Sequence, residues 1–336
     1  MDLPRVLRQR LDDALAGASA SELRAAASRL SDRYRAEVRD GSLHLDGDAA
    51  VQAYLAARLP ATYAATRAAL DAIVAARPGF APKTALDLGA GPGTGLWAIA
   101  DCWPEIERVT LVEQSAAART WGERLAAEDV LPNATWRSGD VARLPEPNDA
   151  ADIVLVGYVL GEIVAAERLT LIERAWRIAD DTLLLVEPGT SAGWARLMAA
   201  RVQLLDLGAH ILAPCPHSQA CPLKPPDWCH FAERISRSRL HREIKRGELG
   251  WEDEKFIYLA ASRHKPATVR SRIIARPSHA KGRVTLRLCT PNGHATETIV
   301  SRRDGDLYKR ARRAEWGDVL SLESDTEVQA SGADAP

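Results

Sequence analysis

The sequence lacks the features that would place it in a membrane or among disulfide-stabilised secreted proteins. No apolar run approaches the roughly 20 residues that a helix needs to span a bilayer. The first residues are rich in Arg and Ala, but acidic residues interrupt them, which argues against a transit peptide, and they lack the apolar centre of a secretory signal. We therefore expect a cytoplasmic protein with no membrane partner. In that compartment the five cysteines indicate metal binding or chemistry, and not disulfides.

Two common nucleotide-binding motifs are also absent, although a glycine-rich segment is present at Asp87–Gly95. Thr94 and Leu96 stand where a dinucleotide fingerprint would need Gly, and there is no Gly-Lys-Ser/Thr phosphate loop. The segment follows a predicted strand and precedes a predicted helix. It matches the first motif of class I S-adenosylmethionine-dependent methyltransferases, an acidic residue entering a Gly-x-Gly-x-Gly turn. The candidate cofactor-binding residues of this motif are Asp87, Gly89, Ala90, Gly91 and Gly93.

Two further acidic residues follow the next two predicted strands. Glu113 ends the strand after the glycine segment, where a carboxylate can accept hydrogen bonds from both ribose hydroxyls. Asp140 follows the third strand, where an acidic side chain can reach the adenine amino group. Because the carboxyl ends of parallel strands meet at one sheet edge, these positions predict an S-adenosylmethionine site there.

The order of predicted elements indicates an α/β protein with several additions. Short apolar runs alternate with helical segments from Thr84 to Leu207, which predicts a parallel, Rossmann-like sheet with helices on both faces. We expect five regions in the chain. They are an N-terminal helical region (1–80), the S-adenosylmethionine-binding core (81–208), a Cys-rich metal-binding loop (209–235), the last core strands with a small, basic, β-rich extension (236–320), and a disordered tail (321–336).

The acceptor side of the predicted site lacks a recognisable catalytic motif. Many amino-methylating enzymes carry Asn/Asp-Pro-Pro-aromatic after the fourth strand, whereas this chain has Gly157-Tyr158-Val159-Leu160. Tyr158 suits base stacking, core packing or a lid, and these alternatives stay open. No nucleophilic cysteine falls here, since Cys102 lies beside Trp103 on the first helix and is expected to be buried. The sequence identifies no catalytic residue.

Four of the five cysteines form a candidate metal site, at Cys215, Cys221, Cys229 and Cys289. The spacing differs from the paired Cys-x2-Cys knuckles of a zinc ribbon. Four thiolates suit either zinc or an iron–sulfur cluster. His217 and His230 adjoin these cysteines and suit a mixed zinc site instead. Unrelated buried cysteines are the remaining alternative.

Positive charge is concentrated in one part of the chain. The net charge is −1, yet residues 234–313 contain 21 Lys and Arg against 8 Asp and Glu, an excess of 13. Such asymmetry predicts a nucleic-acid-binding face, and an ordinary solvated surface is the alternative. Trp228, Trp251 and Trp316 lie within or beside this basic segment and suit either base stacking or core packing.

Taken together, these segments resemble the methyltransferase-like proteins of the mitochondrial ribosomal small subunit and their bacterial relatives. The resemblance covers most of Ala53–Asp318 and is most specific around Cys215, Cys221 and Cys229. It implies a [4Fe-4S] cluster at the four cysteines and S-adenosylmethionine around Gly89–Gly93. It also implies association with small-subunit rRNA and ribosomal proteins during assembly. Methyl transfer is in doubt in that family, in agreement with the unremarkable fourth motif.

The favoured function is therefore a small-subunit assembly factor, monomeric off the ribosome, that binds rRNA through residues 234–313. In this hypothesis the cluster ties the basic extension to the core. One alternative is a catalytically active S-adenosylmethionine-dependent rRNA methyltransferase. The other is a small-molecule methyltransferase with a structural zinc.

Overall fold

The N-terminal region is helical, as the sequence predicts. The computed structural model describes residues 1–36, 42–126, 133–143 and 150–322. The first helices are α1 (Arg5–Ala14), α2 (Ala20–Arg35), α3 (Asp48–Ala57) and α4 (Leu59–Ala76). The Ser19 side chain accepts a hydrogen bond from the Glu22 backbone and so caps α2. Leu23 and Leu30 of α2 are buried, so this helix packs by its apolar face. No helix within the described ranges is long and apolar enough to cross a membrane.

Strands and helices then alternate, which confirms the predicted α/β pattern. The elements are β1 (Thr84–Leu88), α5 (Thr94–Cys102), β2 (Arg108–Glu113), α6 (Ala116–Ala126), β3 (Ala134–Ser138), β4 (Ala151–Gly157), α7 (Ala165–Ile178), β5 (Ala179–Pro188) and α8 (Ser191–Asp206). Strands β1 to β5 pair in parallel, in the order β3-β2-β1-β4-β5. The central strands are buried on both faces, as in sheets covered by helices on each side.

The sheet is mixed and not parallel throughout, which corrects the prediction. The chain continues through β6 (His210–Ala213), β7 (Phe231–Ser236), α9 (Arg239–Lys245) and β8 (Trp251–Ser262). Strand β8 runs antiparallel to β5, and its other edge pairs with β7 along its first half and with β6 at its end. The short strands β6 and β7 were not predicted, because they flank a Pro- and Cys-rich loop and gain their order by pairing with β8.

The C-terminal extension is a second, smaller sheet, as expected. It contains β9 (Ser271–Ile273), β10 (Ser278–Ala280), β11 (Arg283–Cys289), β12 (Ala295–Ser301), α10 (Gly305–Ala311) and β13 (Val319–Leu320). Leu286, Leu288 and Val300 are among the buried residues of its own core. Most of the predicted disordered tail, from residue 323 onward, lies outside the described residues, and the five-region division stays a prediction.

Candidate functional site

The glycine segment forms a tight turn between β1 and α5. Gly89, Gly91 and Gly93 have φ of 76°, 54° and 83°, in the left-handed region that favours glycine. The backbone N–H of Gly89 donates to Val112 O at 2.8 Å, which holds the turn against β2. A Cβ at Gly89 would collide with the Val159 side chain, whereas one at Gly91 would meet only Leu45, at 3.8 Å. A Cβ at Gly91 therefore has room, with Leu45 as its nearest neighbour.

Asp87 and Glu113 lie beside this turn. Asp87 is buried, and burial, with a further contribution from Glu113, raises its pKa to about 7. Glu113 accepts hydrogen bonds from Gly91 N at 2.8 Å and from Ser115 N at 2.7 Å. Each carboxylate oxygen can accept more than one hydrogen bond, so Glu113 retains capacity for ligand hydroxyls. Burial raises the pKa of Glu113 as well, despite these two bonds.

Asp140 lies at the same sheet edge, two residues beyond the end of β3. Its carboxylate accepts a hydrogen bond from Ala142 N at 2.9 Å and lies 3.6 Å from the Arg143 guanidinium. Strand β3 pairs with β2 so that Ser138 is opposite Glu113. The structure therefore brings the three predicted acids to one edge, and their role in binding a cofactor stays a prediction.

The N-terminal helices contribute residues that sequence reasoning missed. Tyr54 of α3 lies 3.1 Å from the Thr94 hydroxyl, at the start of α5. The Ser115 hydroxyl donates to Leu45 O, and the Trp121 indole donates to Asp48 at 2.8 Å. Since Leu45 also faces Gly91, residues 45–54 lie over the glycine turn. The sequence pointed to this region only through the segment that begins at Ala53 and resembles the family. That resemblance did not predict where the segment lies in the fold.

Tyr158 occupies the place of the missing acceptor motif and is engaged within the chain. Its φ of 61° is uncommon for an aromatic residue and strained. Its hydroxyl donates to Glu254 Oε1 at 3.4 Å, and the same oxygen lies 3.7 Å from the Arg58 guanidinium. Burial raises the pKa of both Tyr158 and Glu254, so the hydroxyl stays protonated. This Tyr158–Glu254–Arg58 contact connects the end of β4 with β8 and with the α3–α4 junction.

A buried ion pair supports the turn after Tyr158. Glu187, one residue before the end of β5, is fully buried, and one of its oxygens lies 2.8 Å from Arg196 Nε. Its other oxygen accepts a hydrogen bond from Leu160 N at 3.1 Å. Because removing either charge would leave the other uncompensated in the interior, the pair holds this turn in place.

The four predicted metal ligands converge on one small cavity, although Cys289 is 74 positions after Cys215 in the sequence. The cavity is lined by Cys215, Cys221, Cys229 and Cys289, together with Met198, His217, Leu223 and Ile274 among others. Cys215, Cys221 and Cys229 lie on the loop between β6 and β7, and Cys289 ends β11. Cys289 Sγ lies 3.4 Å from His217 Nε2. Cys289 is opposite Arg272 of β9, and Arg272 donates to Pro214 O, so this pair of strands reaches the loop.

The electrostatics of this cavity disfavour free thiolates. Burial raises the pKa of Cys215, of Cys229 and, to about 12, of Cys289, and neighbouring cysteines raise it further. Burial, followed by the Arg201 charge, lowers the pKa of His217 to about 4, so its ring is neutral. Within the described part of the chain, no group of three or more His, Cys, Asp or Glu has the geometry to hold a metal ion. The predicted metal-binding insertion is therefore not shown.

The basic segment divides into a paired part and an exposed part. Arg234, Arg237 and Lys245 each pair with a carboxylate of β8. Near the tip of the second sheet, by contrast, Lys281, Arg283, Arg302 and Arg303 are exposed. Arg302 N donates to Gly282 O at 3.0 Å, so these four residues are neighbours.

The three tryptophans are engaged within the chain. Trp251 lies under the Arg234 guanidinium, 3.7 Å away, and Trp228 donates to Gly189 O at 3.1 Å. His230 packs edge-on against Trp316 at 4.7 Å between ring centroids. These contacts favour packing over base stacking for the tryptophans.

A glycine turn after β1, acids at successive strand ends and a mixed sheet covered on both faces define a class I methyltransferase-like fold. The family model described as mitochondrial small ribosomal subunit Rsm22 matches residues 48–321, and the chain belongs to this family. This confirms the family resemblance inferred from the sequence.

Curated relatives include the human mitochondrial ribosome assembly protein METTL17. It is 30% identical over 309 residues, and the match covers 84% of this chain and 65% of that protein. The Rsm22-cox11 tandem protein 2, mitochondrial, of Schizosaccharomyces pombe is 23% identical, over 86% of this chain and 45% of that protein. The chain thus spans less than two thirds of the length of these relatives.

Among solved structures, magnesium protoporphyrin IX methyltransferase from Synechocystis with bound S-adenosylmethionine is similar over 70% of this chain and 91% of its own. The identity is 19% and the TM-score 0.41. A ribosomal protein L11 methylase from Lactobacillus delbrueckii is 17% identical over 59% of this chain and 78% of its own, with a TM-score of 0.36. These TM-scores are too low to support an argument about the fold, which rests on the strand order of this structure.

The prediction of a cytoplasmic location is wrong, because these curated relatives are named as mitochondrial proteins. It rested on acidic residues near Met1 that seemed incompatible with a transit peptide. Except for Asp2, those residues belong to α1 and α2, folded helices whose Leu7 and Leu23 are buried. Their composition reflects the surface of a packed helix and carries no information about the compartment.

Proposed function

We propose that this protein is an assembly factor of the small ribosomal subunit that uses a methyltransferase fold to bind S-adenosylmethionine and rRNA. The observation that carries the proposal is the family match over residues 48–321, which includes the core, the Cys-rich loop and most of the extension. The human relative, named as a ribosome assembly protein, supports the same role.

The cofactor in this proposal lies across the turn between β1 and α5. The backbone of Gly89, Ala90, Gly91 and Gly93 would line it, Glu113 would accept from its ribose hydroxyls, and Asp140 would face its adenine end. The openness at Gly91 and the free acceptor capacity of Glu113 support this placement. Asp87 would contribute its buried carboxylate from the β1 side of the turn.

The four cysteines would hold a [4Fe-4S] cluster, with zinc as the alternative. Four thiols lining one cavity are the donor set that either group needs. Burial and neighbouring cysteines raise the pKa of Cys229 and Cys289, so thiolates there would need a bound cation to compensate their charge. The group would supply a cross-link between the loop after β6 and the end of β11, as structural metals do in poorly packed segments.

The RNA-binding face would include Lys281, Arg283, Arg302 and Arg303. These side chains are exposed and adjacent at one end of the second sheet, whereas many basic residues before β9 are already paired with carboxylates. Arg and Lys on such a surface neutralise backbone phosphates without reading sequence.

Binding without methyl transfer is supported by Tyr158. In this structure its side chain contacts Glu254 beside Arg58 instead of presenting a motif that grips a target nitrogen. The rival function, an active rRNA methyltransferase, would require this contact to open for the acceptor.

Gly91→Arg separates cofactor binding from assembly. A Cβ at Gly91 has room, with Leu45 3.8 Å away, and a long charged side chain there would obstruct the proposed cofactor site, although its backbone would be strained. Gly17→Arg is the matched control, since Gly17 also has positive φ and open space but lies between α1 and α2. Both variants would be expressed in cells lacking the gene, and small-subunit assembly and labelled-methyl transfer to small-subunit RNA would be measured.

We expect no methyl incorporation with the unsubstituted protein and an assembly defect that it rescues. Rescue by Gly91→Arg equal to that by Gly17→Arg would mean that the cofactor is dispensable for assembly. Methyl incorporation that Gly91→Arg abolishes and Gly17→Arg preserves would overturn the binding-only proposal in favour of the enzyme.

A further inference from the structure

A second cavity lies on the side of the Cys-rich loop that faces α4. It has a volume of about 280 Å³ and is bordered by α4, by β6 with the residues after it, and by the segment between β8 and β9. Its polar lining includes Lys265, Arg270, Arg272, His210, Ser218 and Thr268. Three alanines of α4, at 72, 75 and 76, form one wall, and their small side chains leave the space open.

The lining of this cavity is basic. Among the described residues that line it, none is acidic. Lys265 has no carboxylate partner in the described part of the chain, and the side chain of Arg270 donates to the Thr268 hydroxyl at 3.2 Å. Arg272 donates to two backbone carbonyls, Pro214 O at 3.1 Å and Gly317 O at 2.7 Å. Carbonyl acceptors orient a guanidinium without neutralising it, so none of these three basic side chains has a carboxylate partner in the described part of the chain.

The cleft on the other side of Arg272 shows that this charge pattern is local. That cleft is larger, about 840 Å³, but it is lined by Glu233, Asp253 and Asp318 as well as by basic residues. Arg234 and Arg276 within it both pair with Asp253. Of these two cavities, the smaller is therefore the one whose described lining combines basic residues with no acidic residue.

We propose that the smaller cavity binds a phosphate group. Two guanidinium groups and an ammonium supply several charge-assisted donors, and Ser218 and Thr268 add hydroxyl donors, which matches the many acceptor oxygens of a phosphate. The volume is close to the lower end of small-ligand sites, on the order of 300 Å³, so it suits a nucleotide-sized ligand. The phosphate belongs either to a free nucleotide or to an RNA strand.

This site is separate from the proposed cofactor and cysteine sites, although it is next to the latter. Pro214, Cys215, His217 and Arg272 line both cavities. A bound phosphate would therefore rest against the same loop that the cysteines hold. The inference does not require S-adenosylmethionine binding, and it stands or falls independently of the assembly role.

The phosphate site can be tested by isothermal titration of the full chain with inorganic phosphate and with adenosine monophosphate. The double variant Lys265→Ala/Arg270→Ala removes two exposed cavity charges and should weaken binding of both ligands at least about 10-fold, because each lost charge-assisted bond is strong. The matched control Arg35→Ala/Arg177→Ala removes two exposed charges from α2 and α7 and should change binding less than about twofold.

A cavity-filling variant keeps every charge and tests the space beside α4. Ala75→Leu in α4 should weaken binding of adenosine monophosphate by a similar factor while leaving the thermal unfolding midpoint nearly unchanged, since Ala75 lies at the surface and Leu is a good helix former. Equal binding by the cavity variants and the control, or no binding at millimolar phosphate by the unsubstituted chain, would overturn the proposal.

The source of the phosphate is decided by anisotropy titrations with a 5′-labelled single-stranded RNA. If RNA affinity falls at least about 10-fold more in Lys265→Ala/Arg270→Ala than in the control, the cavity takes a backbone phosphate. If RNA affinity falls equally in both variants while adenosine monophosphate binding is lost only in the first, it takes a free nucleotide. If the unsubstituted chain does not bind RNA at all, the proposed function is refuted. The phosphate titration still tests the cavity in that case.

Discussion

At the residue scale, Tyr158 combines backbone strain with a buried polar contact. A left-handed φ in an aromatic residue persists only where its surroundings hold it, and here the Glu254 carboxylate and the packing around β4 do so. Such strain is common at functional sites, and Tyr158 stands at the end of the fourth strand, where related folds place their acceptor motif.

Tyr158→Phe should remove the hydrogen bond to Glu254 while retaining the ring. We expect the free energy of unfolding in urea to fall by about 1 kcal/mol, as for other buried hydrogen bonds. Arg58→Met, which removes the charge beside the same carboxylate, should destabilise more. A Tyr158→Phe protein as stable as the unsubstituted chain would show that the contact contributes nothing.

Asp87 should make stability depend on pH. Its folded-state pKa of about 7 is above its ordinary value of 3.8, so folding favours the protonated form. The stabilisation from this group is complete below the ordinary pKa and is lost as pH rises through about 7. Between pH 5 and pH 7.5, the free energy of unfolding should fall by about 2 kcal/mol less in Asp87→Asn than in the unsubstituted chain. An unchanged pH slope in urea titrations would contradict this.

At the element scale, the ion pair between β5 and α8 fixes the turn beneath the candidate site. Arg196→Met would leave the buried Glu187 carboxylate uncompensated and should cost about 3–5 kcal/mol of unfolding free energy. Adding Glu187→Leu should restore part of that stability, because apolar replacement of both partners removes the buried charge. A double variant no more stable than Arg196→Met would show that the pair itself contributes the stability.

The loop between β6 and β7 depends on its link to β11. Cys289→Ser should lower the iron or zinc content of anaerobically purified protein and make residues 214–230 more sensitive to limited proteolysis, because the cross-link is lost. Cys102→Ser is the control, since Cys102 is at the end of α5, away from the cavity. Equal metal content in both variants would contradict the four-cysteine site, and brown protein with about four irons would favour the cluster over zinc.

At the scale of the whole molecule, the charge asymmetry should control RNA affinity. Arg302→Ala/Arg303→Ala should reduce the slope of log affinity against log salt by about 2. Each phosphate contact that is lost lowers the number of counterions released on RNA binding by about one. Arg35→Ala/Arg177→Ala, on distant helices, should leave the slope unchanged. A small-molecule methyltransferase would show no salt-dependent RNA binding in any of these proteins.

Features that depend on neighbouring residues could be predicted from the sequence. The left-handed turn at Gly89–Gly93 and the alternation of β1 to α8 follow from local backbone preferences and apolar periodicity, and Asp87 and Glu113 follow from their positions at strand ends. The tertiary structure decided the antiparallel place of β8, the meeting of Cys289 with Cys215, the Tyr158–Glu254–Arg58 contact and the basic cavity beside α4. Each of these joins residues far apart in the chain, so only the pairing of strands and the closing of long loops could bring them together.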